Sequence, residues 1–469
     1  MVPGRRLRPI ARAGGLLRQQ SAAGALILVR PHPLIALVAA LALAGCGGGG
    51  GSSAGTTSPT PVPVPPPPPP APTPVANTTA IVLDNGPPAL AAAGSGSFNT
   101  PFVTITLCAP GSTTNCQTID HIILDTGSVG LRIMTPALSP SLLAALPAEA
   151  DTANNPVGEC YQYVNSYAFG SVRVADFQIA GEKVASMPFH AIADTGTFST
   201  VPASCSAGGG TQIATVVDFG ANGIIGVGTT ATDCGTFCTA NGGQAAAIYY
   251  DCPASGCSAI IGRAANEAPP FQQLPNPVAA FASDNNGVIL TLPTVPQNGA
   301  SAVSGTVTFG IGTQADNALT APNVLPLTTS ASRLGPGFLT ATYKGKALTQ
   351  SFLDSGSNNY FFIDTTLPPC TDPDLIAFYC PGAPLLLSPV LTATNGATAS
   401  GAFTLLNPLN VLPTATAAPG LGINPTLVKP PLPFANSFDF GLPFFFGRSV
   451  YTAIEGRPAG GVQGPYVAF

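Results

Sequence analysis

Ile122-Ile123-Leu124-Asp125-Thr126-Gly127-Ser128 is the stretch on which the fold turns, and it has a counterpart in Phe352-Leu353-Asp354-Ser355-Gly356-Ser357. In each, an apolar run of the kind found in a buried strand delivers an Asp into a hydroxyl-Gly-hydroxyl turn. The repeat extends past the turn. Ile224-Ile225-Gly226 follows Asp125, and Phe445-Phe446-Gly447 follows Asp354 at a similar distance. One such turn is an ordinary loop signal. The same order twice marks a duplicated unit, each copy bringing one carboxylate to a shared cleft.

The surrounding sequence fits that frame. At 469 residues the chain is long enough for two cores. Only 8% of residues are charged, Gly and Pro number 53 and 51, and Trp is absent, which favours a turn-rich β protein over long charged helices. Short β-branched or aromatic runs such as Phe102 to Leu107, Ser171 to Val174, Val288 to Leu292 and Gly305 to Phe309 read as strands between turn signals. Helical signal is sparse and strongest at Pro140 to Ala148 and Pro275 to Ala282.

The first 45 residues carry six arginines and no acid, and end in the apolar run Leu34 to Ala44, too short to span a bilayer. The run stops at Leu43-Ala44-Gly45-Cys46, which resembles the bacterial lipobox and implies a signal peptide over 1–45 with Cys46 as the lipidated first residue of the mature chain. Residues 46–79 pass from poly-Gly to poly-Pro and read as an extended tether. Beyond the leader, 10 basic residues stand against 21 acidic ones, which argues against nucleic acid as a partner and leaves the lipid as the hold on a membrane. The lipoprotein resemblance further implies the outer membrane or cell surface, since Gly47 follows Cys46 where lipoproteins kept at the inner membrane have Asp.

Eleven cysteines less Cys46 leave ten, an even number in an exported chain, read as up to five disulfides. Neighbours pair most simply, Cys108 with Cys116 and Cys370 with Cys380. Cys234, Cys238, Cys252 and Cys257 have spacing that also suits four-thiolate zinc, but export favours disulfides. Cys160 and Cys205 then remain for each other.

These residues resemble the pepsin-like aspartic peptidases over about 98–469. The resemblance implies an all-β, two-lobed β-barrel fold with few short helices, an N-terminal lobe at 80–315 carrying Asp125 and a C-terminal lobe at 316–469 carrying Asp354. It further implies that Ile225-Gly226 and Phe446-Gly447 form ψ-shaped loops beneath the two aspartates. A β-hairpin flap is expected at Tyr167-Ala168-Phe169-Gly170-Ser171, with Tyr167 and Gly170 as its marks and Tyr161 and Tyr163 as competitors. Three positions depart from the family pattern: Val129, Arg132 in place of a Trp, and Arg448 in place of an Asp.

The chemistry such a pair performs follows from electrostatics. Two close carboxyls cannot both ionise cheaply, so they share a proton, one serving as base toward water and the other as acid toward a carbonyl oxygen. Gly127 and Gly356 let the turns close up, Thr126 and Ser355 can bond across the halves, and Ser128 and Ser357 can bond the carboxylates. Neither a metal nor a cofactor is called for. With His121 and His190 the only histidines past the leader and no Gly-x-Ser-x-Gly, a Ser-His-Asp hydrolase is poorly supported. The expected function is a membrane-tethered, monomeric aspartic endopeptidase acting on an extended polypeptide. The alternative is a non-catalytic relative that binds a peptide, protein or glycan in the cleft, and a third reading is a structural or adhesive lipoprotein.

Overall fold

A computed structural model describes residues 77–234, 248–260, 272–329, 337–428 and 434–469, together with a short pairing of Gln20–Ser21 with Gly24–Ala25. Apart from that pairing, the expected leader, Cys46 and most of the tether lie outside the described residues. Thr78 and Thr79, read as the end of the tether, already belong to the Thr78–Leu83 strand.

Alternation of side chains builds the sheets. In Val303–Phe309, Val303, Val307 and Phe309 are buried while Ser304 and Thr306 are not, the period-2 pattern of a strand with one face on a core. It pairs antiparallel with Thr78–Leu83 on one side and Gly287–Leu292 on the other. Sixteen strands join in one such sheet and seven in another. From the end of the chain, Arg448–Ala453 enters the larger sheet beside Gly287–Leu292 and Tyr466–Ala468 pairs on its far side, so the two halves of the sequence share it. This is an all-β arrangement, with helices among the described residues confined to single turns or little more.

One expected helix forms and one does not. Pro140–Ala145 is helical, with Pro140 in its first turn and the Ser139 hydroxyl accepting from the Leu142 N–H. Around Pro275 the chain makes only turns: Asn276 spends its side chain on the backbone of Gly228, Thr230 and Val278, which fixes the segment against the neighbouring loop.

The halves carry matching threaded strands. Gly223–Val227 runs parallel to Cys116–Asp125 and antiparallel to Val129–Met134, with Ile225 beside Leu124 and Gly226 beside Asp125. In the second half Asp439–Phe440 does the same between Lys346–Leu353 and Tyr360–Phe361. This corrects the reading of Phe446 and Gly447 as the second ψ-loop. They lie past a short 3-10 turn, Leu442–Phe445, where Phe446 bridges to Leu292 of the large sheet. The Gly of the true motif is Gly441, where a Cβ would fall 2.2 Å from the Asn359 carbonyl oxygen and 2.5 Å from that of Ser357. An acid, Asp439, interrupts the apolar pattern that marks the first copy.

Behind this strand the second half packs on aromatic rings. Phe438 stacks on Phe362 at 4.6 Å and on Phe440 at 4.4 Å, and Tyr360 stacks on Phe403 at 3.8 Å. Each ring buries a large apolar area besides its specific ring contact, so the strand before the dyad is held at its back.

Four disulfides close among the described residues: Cys108–Cys116, Cys160–Cys205, Cys252–Cys257 and Cys370–Cys380. Cys234 is also disulfide-bonded. With Cys252 and Cys257 joined to each other, the zinc spacing is not used. Bridges of this number fit a chain that folds in an oxidising, exported setting. Among the described residues no helix is long and apolar enough to cross a membrane.

Candidate active site

Both aspartates arrive at the ends of buried strands and meet. Asp125 and Asp354 are 2% and 8% exposed, and the Asp125 carboxyl acts directly on that of Asp354. Gly127 makes the approach possible: a Cβ there would sit 2.5 Å from Asp354 Cγ. Within each turn the carboxylate accepts from the backbone two residues on, Gly127 N–H to Asp125 Oδ1 at 2.7 Å and Gly356 N–H to Asp354 Oδ1 at 2.8 Å. The Ser128 hydroxyl donates to Asp125 Oδ2, and the Ser357 hydroxyl lies 2.9 Å from Asp354 Oδ2.

The turns are locked to each other by their second residues. Thr126 N–H donates to Ser355 Oγ and Ser355 N–H donates to Thr126 Oγ1, both at 3.0 Å. Each hydroxyl then donates onward across the halves, Ser355 to the Leu124 carbonyl at 2.7 Å and Thr126 to that of Leu353 at 3.4 Å. The carboxyl pair is therefore positioned by backbone and hydroxyl groups and needs no added charge.

Burial, then the charge of Asp125, then that of Asp439 push the Asp354 carboxyl well above the ordinary range, and the Ser357 hydroxyl only partly opposes them. Asp354 thus keeps its proton where an exposed carboxyl has lost it.

Over this site lies the hairpin Val157–Gln162 and Ser166–Ile179, turning at Tyr163 to Asn165. The pleat decides which tyrosine faces the carboxyls. Tyr161 pairs with Ala168, and both it and Tyr163 feel the charge of Asp125; burial first, with that charge adding, raises both phenols against the pull of Arg132. Tyr167 pairs with Gln162 on the opposite face, where it packs with Cys160, Phe169 and Tyr250. The expectation that Tyr167 is the flap residue is therefore corrected in favour of Tyr161 and Tyr163. Gly170 lies well past the hairpin tip, where a Cβ would come within 1.9 Å of the Ala191 carbonyl oxygen, so its absence of a side chain serves strand packing.

Arg132 holds the hairpin down from below. Fully buried, it donates from Nη1 to the Val129 carbonyl at 2.8 Å and from Nη2 to Glu159 at 2.7 Å and Asp233 at 3.2 Å. Its guanidinium lies 3.5 Å from the centre of the Tyr161 ring. Burial works to raise the Glu159 carboxyl, but Arg132 and His190, whose Nδ1 lies 2.8 Å away, outweigh it and hold Glu159 ionised. Asp233 goes the other way: burial and the charge of Glu159 keep its proton on. Arg448, the other cationic departure, stacks on Phe444 at 4.4 Å and does not take part in the dyad's hydrogen bonds.

Two features escaped the sequence. Asp439 is visible only as a lone acid between Phe438 and Phe440 directly before Gly441. The Arg132–Glu159–Asp233 cluster joins residues far apart in the chain, with no spacing to announce it. Among the described residues no group of three or more His, Cys, Asp or Glu is arranged to hold a metal ion.

A family profile described as "Protein of unknown function (DUF3443)" matches residues 73–469. No curated protein matches the chain. Among solved structures similar to it is an aspartic proteinase from Irpex lacteus, at 12% identity and a TM-score of 0.46, the match covering 84% of this chain and 97% of that one.

Proposed function

Because the chain belongs to the DUF3443 family, whose description assigns no activity, we propose a function from the site itself: an aspartic endopeptidase that cleaves peptide bonds by general acid/base activation of water. The observation that carries it is the convergence of Asp125 and Asp354 on two like turns that Thr126 and Ser355 lock to each other. In this reading Asp125 takes a proton from a water held between the carboxyls, and that water attacks the scissile carbonyl. Asp354 gives its proton to the carbonyl oxygen, and the tetrahedral intermediate collapses as Asp125 passes the proton taken from water to the departing nitrogen and a hydroxyl of the intermediate returns one to Asp354. No covalent enzyme intermediate is formed.

Substrate would lie extended under the hairpin. The Tyr163 hydroxyl is buried and has no hydrogen-bond partner among the described residues, which leaves it free to bond a peptide backbone. Export as a lipoprotein through Cys46, with residues 46–76 as spacer, is the setting we propose for it at the outer membrane or cell surface.

The test is cleavage of an unfolded protein between pH 3 and 7 by the purified chain, with and without a transition-state analogue of aspartic peptidases. Asp125→Asn and Asp354→Asn should each abolish turnover. Cleavage that persists in both variants, or wild-type protein that cleaves nothing across this range, sinks the proposal.

A further inference from the structure

Asp439 occupies a strand position that is apolar in the other half of the molecule. Ile224 lies beside Ile123, two residues before Asp125; Asp439 lies beside Phe352, two residues before Asp354. Both are buried, and the pairing neighbours of Asp439 in the two flanking strands are Phe352 and Phe361. A carboxyl placed there must find a strong partner or stay neutral, because ionising it in a dry interior is costly. Its Oδ1 has no hydrogen-bond partner among the described residues. Its Oδ2 lies 2.6 Å from Ser357 Oγ, the same hydroxyl that lies 2.9 Å from Asp354 Oδ2.

A hydroxyl donates one proton only. With two carboxyl oxygens in reach of Ser357 Oγ, one of those carboxyls must be the donor into it if both links are made. Burial keeps the proton on Asp439, with Ser357 opposing and the charge of Asp125 adding; Asp125 and Asp354 are the titratable groups that bear on it. The first half has no such chain, since Ile224 stands where the acid would be and Ser128 serves Asp125 alone.

We infer that Asp439 is a third acid of the site, holding a reserve proton on the buried side of Asp354 and passing it through the Ser357 hydroxyl. The step balances. Asp439 gives its proton to Ser357 Oγ while Ser357 gives its own hydroxyl proton to Asp354 Oδ2, so Ser357 stays neutral and one proton has moved between two carboxyls. In catalysis the proton is lent to Asp354 while its own sits on the substrate oxygen. It returns to Asp439 by the same path when the collapsing intermediate gives that proton back, so all three acids end as they began. This use rests on the peptidase reading, and the proton link itself does not.

Infrared difference spectra of the purified full chain, taken without substrate, read protonated carboxyls directly by their carbonyl stretch. Asp354→Asn assigns one band. Asp439→Asn should remove a second band and displace the first, and Ser357→Ala, which keeps both acids but cuts the chain between them, should displace both. Asp439→Leu, which restores the apolar character of the Ile224 position, should also lose the second band and stands in if the Asn variant does not fold. Protonated-carboxyl bands unchanged in the Asp439 variants would mean the group is ionised and overturn the inference. An Asp354 band unmoved by Ser357→Ala would overturn it equally. Cleavage assayed in parallel separates the two claims, since a chain that cleaves nothing yet shows these band changes retains the link and loses the peptidase reading.

Discussion

Thr126 and Ser355 exchange reciprocal hydrogen bonds, each backbone N–H to the other's hydroxyl at 3.0 Å, and so tie the two aspartate turns into one unit. Ser355→Ala leaves the buried Thr126 N–H without its partner and also removes the bond to the Leu124 carbonyl. An unpaired buried donor costs about 1–3 kcal/mol. Urea unfolding should show a loss of that size, and turnover should fall with it because the carboxyls lose register; an unchanged midpoint would refute the role given to this pair.

Gly127→Ala tests the closeness of the carboxyls rather than stability. The added methyl would lie 2.5 Å from Asp354 Cγ, so the two aspartates must separate. Cleavage and binding of a transition-state analogue should both be lost in a protein whose circular dichroism is unaltered. Retained inhibitor binding would mean that the turn has room to yield.

Arg132→Leu removes the cation from a fully buried cluster and leaves Glu159 charged without its main partner. Breaking one side of a buried pair costs about 3–5 kcal/mol. The double variant Arg132→Leu with Glu159→Gln should recover a large part of the loss, because the stranded charge is gone. A double-mutant cycle that shows no coupling would contradict the hydrogen-bonded pair.

Glu182 supplies a pH dependence that is separate from the dyad. Burial, then its hydrogen bond to Asp284, raises it from 4.5 to about 7. The folded state therefore binds a proton that the unfolded state gives up earlier, so this contribution to stability is complete below pH 4.5 and is lost as pH rises through 7. Denaturant midpoints should decline across this window in the wild type. Glu182→Gln should flatten the decline; an identical slope in the variant would assign it elsewhere.

The Cys160–Cys205 bridge closes 45 residues and anchors the hairpin over the dyad. Chain-entropy reasoning gives it about 4 kcal/mol. Reduction, or the double Cys→Ala variant, should lower the thermal midpoint and loosen the hairpin to proteolysis before the rest of the body, and simultaneous loss throughout would show that the bridge serves the whole fold.

Local chemistry explains what could be read without coordinates. The aspartate turns, the first threaded strand at Ile225-Gly226 and the strand runs such as Val303–Phe309 each depend on residues adjacent in sequence, so apolar alternation and a Gly between hydroxyls suffice to place them. By themselves they determined the β character, the duplicated plan and the two acids. Which tyrosine looks at those acids depended on hairpin register, since one step along a strand reverses the face, and only the pairing of Tyr161 with Ala168 settled it. The second threaded strand was missed for a related reason: Asp439 reads as polar in sequence, and only the tertiary structure shows it buried, bonded to Ser357 and sitting where its counterpart Ile224 is apolar. Tertiary structure likewise decided the Arg132 cluster, because charge survives in a core only where distant partners converge, and convergence has no period in a linear chain.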